Sequence, residues 1–318
     1  AVHSLHKIGV KSICFGSEAG NAKQFINAYQ QYKRMESSYK KELKYWLNEG
    51  LAFPDASARA YREIGLTGEE MDLSQPNNIL GLGYVKAILD YDLPLEIHTI
   101  KRLQSGYHDQ KITNSIASAT SIRKEMLAND DLTQNVEMAI PVQTKEQLLE
   151  YKLKSGIWHY WEKYFHLVNY RISTMSVEDL QKIHGVDEDL EFRTKETAKA
   201  ATSMENWIDS VKTKRYTRTR IQRMFTHILT NTLKSELEEY LNEEIPYVRI
   251  LGMNKRGQKY LNYMKKDLDI QIITGFKRNM HPLLQIEERA SLAYYSVLKP
   301  MNRRQLRQQE IKAPLRIN

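Results

Sequence analysis

A short run of hydroxyl side chains ending in an arginine is the pattern in this sequence that most directly suggests chemistry. Ser118, Thr120 and Ser121 come just before Arg123, at the start of a stretch with helical spacing. Phosphate groups bind where backbone N–H groups converge at a helix N-terminus and where hydroxyls and a guanidinium add hydrogen bonds. An arginine in the first helical turn is unfavourable unless an anion offsets the helix dipole, so the run predicts a phosphate site. The same hydroxyls are also typical of a simple N-cap, and the sequence leaves both interpretations open.

Three further positions have residue types that suit a bound nucleotide. Gly16 ends a predicted strand, where the missing Cβ either permits a tight turn or lets a base or ribose approach the backbone. Asn77 precedes a predicted helix, which it either caps or flanks with an amide that an adenine edge can use. Arg102 follows another predicted strand, at the end where α/β sheets bind ligands, although a cation there is also commonly just solvated.

The elements around these residues indicate an α/β unit. Residues 7–17 have the pattern of a buried strand that ends in a glycine turn, residues 22–49 repeat apolar side chains at helical spacing, and residues 95–100 alternate as a strand does. A strand or turn leads into a helix three times, which predicts a parallel sheet with helices on its faces. Cys14 lies in the first of these strands and is predicted to be a buried, unreactive thiol.

Beyond residue 140 the pattern changes to long helical stretches. Apolar residues at helical spacing predict helices over 148–173 and 217–240. Two short strands, near residues 247–252 and 270–274, flank an amphipathic helix and predict a βαβ element. An aromatic group in the first stretch has helical spacing, which favours a core or interface cluster over a platform that stacks nucleobases. Its members are Trp158, Tyr160, Trp161 and Tyr164.

Two domains are predicted from this change of pattern. Residues 1–140 form an α/β nucleotide-binding domain, and residues 141–318 form a mainly α-helical domain that includes the small βαβ element. The last residues, 299–318, hold six cations and one acid and are predicted to be an exposed tail.

Positive charge is concentrated in the second domain. The chain has 47 Lys and Arg against 39 Asp and Glu, a formal net charge of +8, which alone proves little about partners. Between residues 212 and 223, however, there are six cations and no acid, so this part predicts a surface for an RNA phosphate backbone, with Tyr216 placed to stack on a base. A solvated basic face is the alternative. The six cations are Lys212, Lys214, Arg215, Arg218, Arg220 and Arg223.

Composition excludes several classes of protein. The hydrophobic fraction is 41% and the charged fraction 27%, which is ordinary for a folded soluble protein and excludes a disordered one. No apolar run approaches the roughly 18 residues that a membrane-spanning helix needs, and no signal-peptide pattern opens the chain. We therefore expect a cytoplasmic protein with no membrane partner. With one cysteine, no internal disulfide can form.

Five strings in one order resemble the tRNA(Met) cytidine acetate ligase family, and the resemblance extends over nearly the whole chain. They are Cys-Phe-Gly-Ser-Glu (14–18), Gln-Pro-Asn-Asn-Ile-Leu-Gly (75–81), Ser-Gly-Tyr-His-Asp-Gln (105–110), Ile-Ala-Ser-Ala-Thr-Ser-Ile-Arg (116–123) and Lys-Arg-Tyr-Thr-Arg-Thr-Arg-Ile-Gln-Arg (214–223). The resemblance implies a Rossmann-like nucleotidyltransferase domain that binds ATP and activates acetate as acetyl-adenylate. It also implies transfer of the acetyl group to the wobble cytidine of elongator tRNA(Met).

The resemblance also implies roles for particular residues. ATP contacts fall on Gly16, Asn77 and Arg102, and the nucleotidyltransferase motif that holds the triphosphate falls on the run from Ser118 to Arg123 that includes Thr120 and Ser121. Magnesium is expected to accompany ATP, with no ligand for it evident in the sequence. The choice of acetate depends on the resemblance alone.

One departure from the family pattern concerns catalysis. The family opens with a strand and a His-x-Gly-His loop, and no such motif occurs in these 318 residues. We therefore expect a truncated or incompletely represented protein, incomplete for catalysis by itself, and its catalytic residues are unknown. Two alternatives stay open: a nucleotidyltransferase that acts on a small molecule, and a non-catalytic RNA-binding protein.

Overall fold

Helices dominate the structure, and its strands are short. The computed structural model describes residues 1–68, 71–102, 112, 117–187, 189–241, 243–276 and 281–317. In this part of the chain, no helix combines the length and the apolar character that crossing a bilayer requires.

The N-terminal elements surround a two-stranded parallel sheet. In chain order they are α1 (Val2–Lys7), β1 (Ser12–Ser17), α2 (Ala22–Arg34), α3 (Glu36–Asn48), α4 (Phe53–Glu63), α5 (Pro76–Asp90) and β2 (Glu96–Lys101). β1 pairs with β2 in parallel, from Ser12 opposite Glu96 to Ser17 opposite Lys101. α5 packs against β1 and α2, so strand, helix and parallel strand form the α/β arrangement that the sequence predicts.

Three expectations for this part are wrong in detail. The strand predicted over residues 7–17 begins only at Ser12, after α1. The single helix predicted over residues 22–49 is two helices that meet at Met35, because α2 packs on α5 whereas α3 packs on α4. Cys14 is exposed rather than buried. Side chains alternate between the faces of a strand, and the described helices cover the face of Ile13 and leave the face of Cys14 open.

Helices make up the middle of the chain. They are α6 (Ala119–Asn129), α7 (Gln134–Met138), α8 (Val142–Ser155), a 3-10 helix (Trp161–Tyr164), α9 (Phe165–Thr174), α10 (Val177–Gln181), α11 (Leu190–Ala198), α12 (Met204–Val211), α13 (Arg218–Thr230) and α14 (Lys234–Leu241). Their main core is closed around the fully buried Trp207, Phe225 and Ile172. The apolar stripe of α13 predicted from the sequence lies in this core, with Ile221 and Ile228 also fully buried.

Both long helices predicted in this region are interrupted. The stretch 148–173 breaks where Gly156, with φ of 77°, ends α8 in the left-handed conformation that favours glycine. The stretch 217–240 breaks at Asn231, with φ of 52°, which ends α13. Asparagine is among the few other residues that adopt this conformation at modest cost.

The C-terminal elements confirm the βαβ prediction and correct another. They are β3 (Tyr247–Arg249), β4 (Gly252–Asn254), α15 (Lys255–Met264), β5 (Gln271–Ile273), α16 (Pro282–Tyr295), α17 (Pro300–Ile311) and β6 (Leu315–Ile317). β3 pairs in parallel with β5 across α15. The predicted exposed tail is instead a packed helix and a strand, since Leu306 of α17 is 1% exposed and β6 pairs with β4.

A smaller apolar cluster lies at the predicted domain boundary. Met126, Leu132 and Val136 pack together with Trp158, and the partly buried Ile140 joins them. The division at residue 140 thus falls inside one cluster, and it stays a prediction. Of the four aromatic residues singled out in the sequence, Trp158 and Tyr164 are buried core residues, as expected from their spacing.

The N-terminal helix contacts the C-terminal βαβ element. The Tyr260 hydroxyl donates to the Ile8 carbonyl over 2.6 Å, and the Lys7 ammonium pairs with Glu244. Gly9 makes this approach possible, because its φ is +84° and a Cβ there would lie 2.4 Å from the Tyr260 hydroxyl oxygen.

Candidate functional site

Gly16 and Arg102 lie side by side at the carboxyl edge of the sheet. Gly16 is opposite Ile100 in the β1–β2 register, and the Arg102 amide donates to the Ser17 carbonyl over 2.9 Å. A Cβ placed on Gly16 would lie 3.6 Å from Arg102 Cγ, so the arginine side chain passes directly over the glycine. Both residues are exposed. They form a surface where a ligand can approach the backbone next to a cation.

Glu18 joins this edge to the start of α5. Its Oε1 accepts from the Asn77 side-chain amide at 2.6 Å, and its Oε2 accepts from the Asn78 backbone N–H at 2.9 Å. Three residues predicted separately from the sequence, Gly16, Asn77 and Arg102, are thereby brought to one place. We call these three residues together with Glu18 the sheet edge.

The structure corrects one interpretation of the asparagine pair. The N-cap of α5 is Gln75, without a side-chain capping bond, and Asn77 and Asn78 lie inside the first turn. Asn78 is buried: it accepts from the Ala19 N–H and donates to the Asp72 carbonyl, so it holds the turn after β1 against α5. Only Asn77 remains placed for a ligand.

The carboxylate of Glu18 also limits where an anion can bind. A helix N-terminus attracts negative charge through its exposed N–H groups and its dipole. At α5 that position is already taken by Glu18, which accepts from the Asn78 N–H. Phosphate groups at this edge would therefore need other donors, of which the exposed Arg102 is one.

Gly20 is a positioning residue that the sequence reasoning missed. Its φ is +71°, and a Cβ there would lie 2.5 Å from Lys101 Cβ, so no other residue fits without movement. Its N–H donates to Ser17 Oγ, which is itself within 2.7 Å of Thr99 Oγ1. The signal was available as a second glycine four residues after Gly16.

The hydroxyl run forms the start of α6. Ser118 is the N-cap, and its Oγ accepts from the Ser121 N–H at 3.1 Å. The Ser121 hydroxyl donates back to the Ser118 carbonyl at 2.9 Å, and both serines are buried. Thr120 and Arg123 are exposed. The two serines thus shape the turn, and Thr120 and Arg123 are the members of the run that face solvent.

Arg123 lines a large cleft in the described part of the chain. The cleft lies between α6, α13, α16 and the 3-10 helix, and its walls include His159 and Tyr294. The hydroxyl run is therefore placed next to the helical part of the molecule. The chain that links it to the sheet edge, residues 103–111 and 113–116, lies outside the described residues, as does the string 105–110.

The six predicted RNA-binding cations lie on one turn and one helix. Lys212, Lys214 and Arg215 occupy the turn between α12 and α13, and the other three lie on α13, which begins after its N-cap Thr217 as predicted. The guanidinium of Arg215 lies 5.7 Å from the centre of the Tyr216 ring. We call the six residues Lys212, Lys214, Arg215, Arg218, Arg220 and Arg223 the basic surface.

Acidic residues compensate part of this charge. Arg218 pairs with Asp209 at 2.8 Å, Lys212 lies 3.5 Å from the same carboxylate, and Arg220 pairs with Asp187. Arg223 is exposed, and no ion pair joins it to any of the residues that the structure describes. The sequence showed no acid within the run, but these acids reach it from α12 and from the loop before α11.

Comparison with known proteins places the chain in a family. A model of the HIGH nucleotidyl transferase family matches residues 1–310. The tRNA(Met) cytidine acetate ligase of Oceanobacillus iheyensis is 49% identical over 99% of this chain and 78% of its own length. The chain belongs to the tRNA(Met) cytidine acetate ligase family. The Bacillus mycoides member of that family is 40% identical over 99% of the chain and 81% of its own length.

Solved structures show the same fold. Thermotoga maritima TmcAL without ligand superposes on the whole chain with a TM-score of 0.85 at 24% identity, covering 80% of that protein. A second crystal form of that protein, bound with alpha-thio ATP, gives a TM-score of 0.82. The helix-rich architecture with a few short strands is therefore a nucleotidyltransferase-like fold shared within the ligase family.

Proposed function

We propose that this member of the ligase family acetylates the wobble cytidine of elongator tRNA(Met), using ATP and acetate. The observation that carries the proposal is the match to named ligases along almost the whole chain. The contacts that unite Gly16, Asn77 and Arg102 at one edge support it, because the family resemblance implies ATP contacts at these three residues.

The reaction has two steps. An acetate oxygen attacks the α-phosphorus of ATP, the bond from that phosphorus to the bridging oxygen breaks, and pyrophosphate leaves. The exocyclic amine of cytidine then attacks the carbonyl carbon of acetyl-adenylate, AMP leaves, and the amine gives up a proton. Catalysis of the first step depends mainly on positioning and on stabilising the charge that moves to the leaving phosphates.

The described residues suggest how the nucleotide lies. We infer that the adenosine approaches the exposed backbone at Gly16, and that the Asn77 amide, which donates to Glu18, offers its carbonyl oxygen to the adenine amine. Arg102 is placed for the phosphates, since Glu18 occupies the α5 N-terminus. The triphosphate extends to the run of Ser118, Thr120, Ser121 and Arg123.

Magnesium is proposed only as an ion carried by the triphosphate. Among the described residues, no three His, Cys, Asp or Glu side chains gather in a way that would hold a metal ion. Mg²⁺ commonly keeps several waters and binds through substrate phosphates. No step in the proposed reaction depends on a protein ligand to the ion.

In this proposal the two predicted domains bind different substrates. Residues 1–140 would form a Rossmann-like ATP-binding domain, supported by the parallel pairing of β1 with β2. Residues 141–318 would bind tRNA through the basic surface, where Lys214, Arg215 and Arg223 are exposed on a helix end fixed by the apolar core beneath. A rigid basic surface suits an RNA backbone better than a flexible one, because less side-chain and backbone freedom is lost on binding.

Product analysis tests the proposal. The full-length protein that contains this chain is incubated with elongator tRNA(Met), ATP and labelled acetate, and the tRNA is digested to nucleosides and analysed by mass spectrometry. Labelled N4-acetylcytidine that requires ATP is the expected result. A matched tRNA with uridine at the wobble position is the control. Label transferred to a small molecule without RNA would reject the proposal in favour of a different nucleotidyltransferase.

A further inference from the structure

The cleft beside Arg123 is large and mainly apolar, with several aromatic side chains in its walls. Its volume is about 790 Å³. It is lined on one side by Arg123 of α6 and Thr226 of α13, and on the other by Tyr160 and Tyr294. Its position next to the hydroxyl run sets it apart from the basic surface, which lies at the opposite end of α13.

His159 forms a fixed, uncharged part of the wall. Its Nδ1 lies 2.6 Å from the Tyr164 hydroxyl and its Nε2 2.8 Å from the Tyr151 hydroxyl, so both ring nitrogens are engaged. Burial lowers the pKa of His159 to about 4. At neutral pH the ring is therefore neutral and held in one plane.

Two tyrosines in the cleft keep much of their surface exposed. Tyr294 stacks on His159 with ring centres 3.9 Å apart and an angle of 15°, and yet it is 42% exposed. Tyr160 is 40% exposed, and the Lys163 ammonium lies 5.2 Å from its ring centre. Exposed aromatic rings next to cations are the arrangement with which proteins hold unpaired bases, because the ring stacks and the cation meets the phosphate.

We propose that this aromatic cleft, defined by Arg123, His159, Tyr160 and Tyr294, receives the reacting cytosine after it has been turned out of the tRNA loop. This inference rests on the proposed function and adds to it the site where the cytosine base binds. An amine that must attack an activated acetyl group cannot do so from within a base stack, so the base has to leave it. Arg123 belongs to the run proposed above to hold the triphosphate, so a base stacked on Tyr294 would share one cleft with a residue of the proposed phosphate site.

The chemistry of the cleft favours a base over other occupants. The walls are flat, aromatic and uncharged at His159 and Tyr294. Arg123 lines the cleft, the Lys163 ammonium lies beside the lining ring of Tyr160, and the lining carboxylate, Glu310, is paired with Arg249 at 3.2 Å. A planar neutral ring that carries an anionic backbone on one side matches both features. An acidic peptide would match the cations but would leave the stacked aromatic wall without a partner.

Binding of short RNA hairpins tests the proposal without the need for acetyl transfer. Two anticodon stem-loops are compared, one with the wobble cytidine and one with an abasic site in its place. We expect the protein to bind the cytidine hairpin roughly fivefold or more tightly, the range that one stacked base gives. Tyr294→Ala should remove that preference and leave affinity for the abasic hairpin unchanged, whereas Tyr294→Phe should retain the preference.

The controls separate the cleft from the rest of the proposal. Tyr263→Ala makes the same change at a tyrosine that is exposed on α15 and should leave the preference intact. If both hairpins bind equally to the unaltered protein, or if Tyr294→Ala keeps the preference, the cleft does not hold the cytosine although RNA binding stands. A protein that binds neither hairpin would overturn the RNA function and the cleft together.

Discussion

At the scale of single residues, the sheet edge combines a carboxylate that disfavours anions with residues that are open to a ligand. Glu18 fixes Asn77 and the α5 N-terminus through two hydrogen bonds, and it thereby removes the most obvious phosphate site of the fold. Gly16 and Arg102 remain open beside it. In the proposed binding mode this arrangement separates adenosine from phosphate, because the carboxylate would repel the phosphates from one end of the edge.

Gly16→Ala tests the approach of the nucleotide to the backbone. The new Cβ would meet only Arg102 Cγ at 3.6 Å and the Ile100 carbonyl at 4.0 Å, both ordinary contacts, so the fold should tolerate it. The methyl group would nevertheless fill the space that the base or ribose needs. We expect ATP affinity, measured by isothermal titration calorimetry, to fall by about tenfold, which is about 1.4 kcal/mol.

The matched control is Gly83→Ala on α5. A Cβ at Gly83 meets nothing within 4 Å, and alanine should stabilise the helix by about 0.5 to 1 kcal/mol. ATP affinity should not change. Equal affinity for ATP in the unaltered protein and in Gly16→Ala would show that the nucleotide does not touch this strand.

The lowered pKa of His159 predicts that the free energy of unfolding depends on pH. Burial lowers its pKa to about 4 in the folded state, whereas an unfolded imidazole titrates near 6.5. The unfolded chain therefore binds more protons between these values, so the contribution of His159 is complete above about pH 6.5 and is lost as pH falls towards 4. The free energy of unfolding in urea should decrease over that interval.

A variant isolates this contribution. His159→Gln should be less stable at neutral pH because two tyrosine hydroxyls lose their partner, but its stability should change less steeply between pH 6.5 and 4. Part of the slope should remain, since burial also lowers the pKa of His227. Parallel curves for the two proteins would contradict a neutral, buried His159.

At the scale of elements, the cations of the basic surface lie in the turn before α13 and on α13 itself. They are not equally available to an RNA phosphate. Arg218 and Arg220 each have a carboxylate partner, whereas Arg223 is exposed on the same helix. An arginine that leaves a carboxylate to meet a phosphate gains less than one that leaves water. We therefore expect the contributions of these residues to RNA binding to be unequal.

Substitutions on both sides of one ion pair test this expectation. Arg223→Ala should weaken tRNA binding and reduce the slope of log affinity against log salt by about 0.7 to 0.9, the value for one phosphate contact. Asp187→Asn, which releases Arg220, should strengthen binding. Lys41→Ala, on the exposed side of α3, should change neither quantity. If Arg218, Arg220 and Arg223 are all replaced by alanine and binding is unaltered, the RNA lies elsewhere.

At this scale, the sequence predicts features that depend on nearby residues better than contacts between residues far apart in the chain. The start of a helix near Thr217 and the burial of its apolar residues, among them Ile221 and Phe225, follow from neighbouring residues, and the structure confirms them. The pairing of Arg220 with Asp187 spans 33 positions and has no local signal. Glu18 belongs to the string 14–18 that the sequence analysis singled out. Its hydrogen bond with Asn77 could not be predicted, because it depends on the packing of β1 against α5.

At the scale of the whole molecule, the C-terminal segment is part of the structure rather than an appendage. Its many cations predict an exposed tail, but a single buried apolar residue is enough to dock a short helix. Leu306 is 1% exposed, and α17 packs on both α8 and α16. Average composition did not reveal this, because the buried position is a single leucine among polar neighbours.

Replacement of Leu306 by alanine measures how much the packing of α17 contributes to the free energy of unfolding. Leu306→Ala should lower the free energy of unfolding by roughly 2 to 5 kcal/mol, since it removes buried carbon atoms and leaves a cavity. Met301→Ala, at a position of the same helix that is 75% exposed, should change it by no more than about 0.5 kcal/mol. Urea unfolding compares the two variants, and equal effects would mean that α17 does not contribute to the core.

The contact of α1 with α15 has a consequence for synthesis of the chain. Lys7 and Ile8 meet Glu244 and Tyr260, partners more than 230 positions further along. Domains generally fold from the N-terminus while the ribosome is still working, and the pairing of β1 with β2 needs no residue beyond 101. α1 can pack on α5 at the same early stage, whereas its contacts with Glu244 and Tyr260 can form only after residue 260 has also emerged.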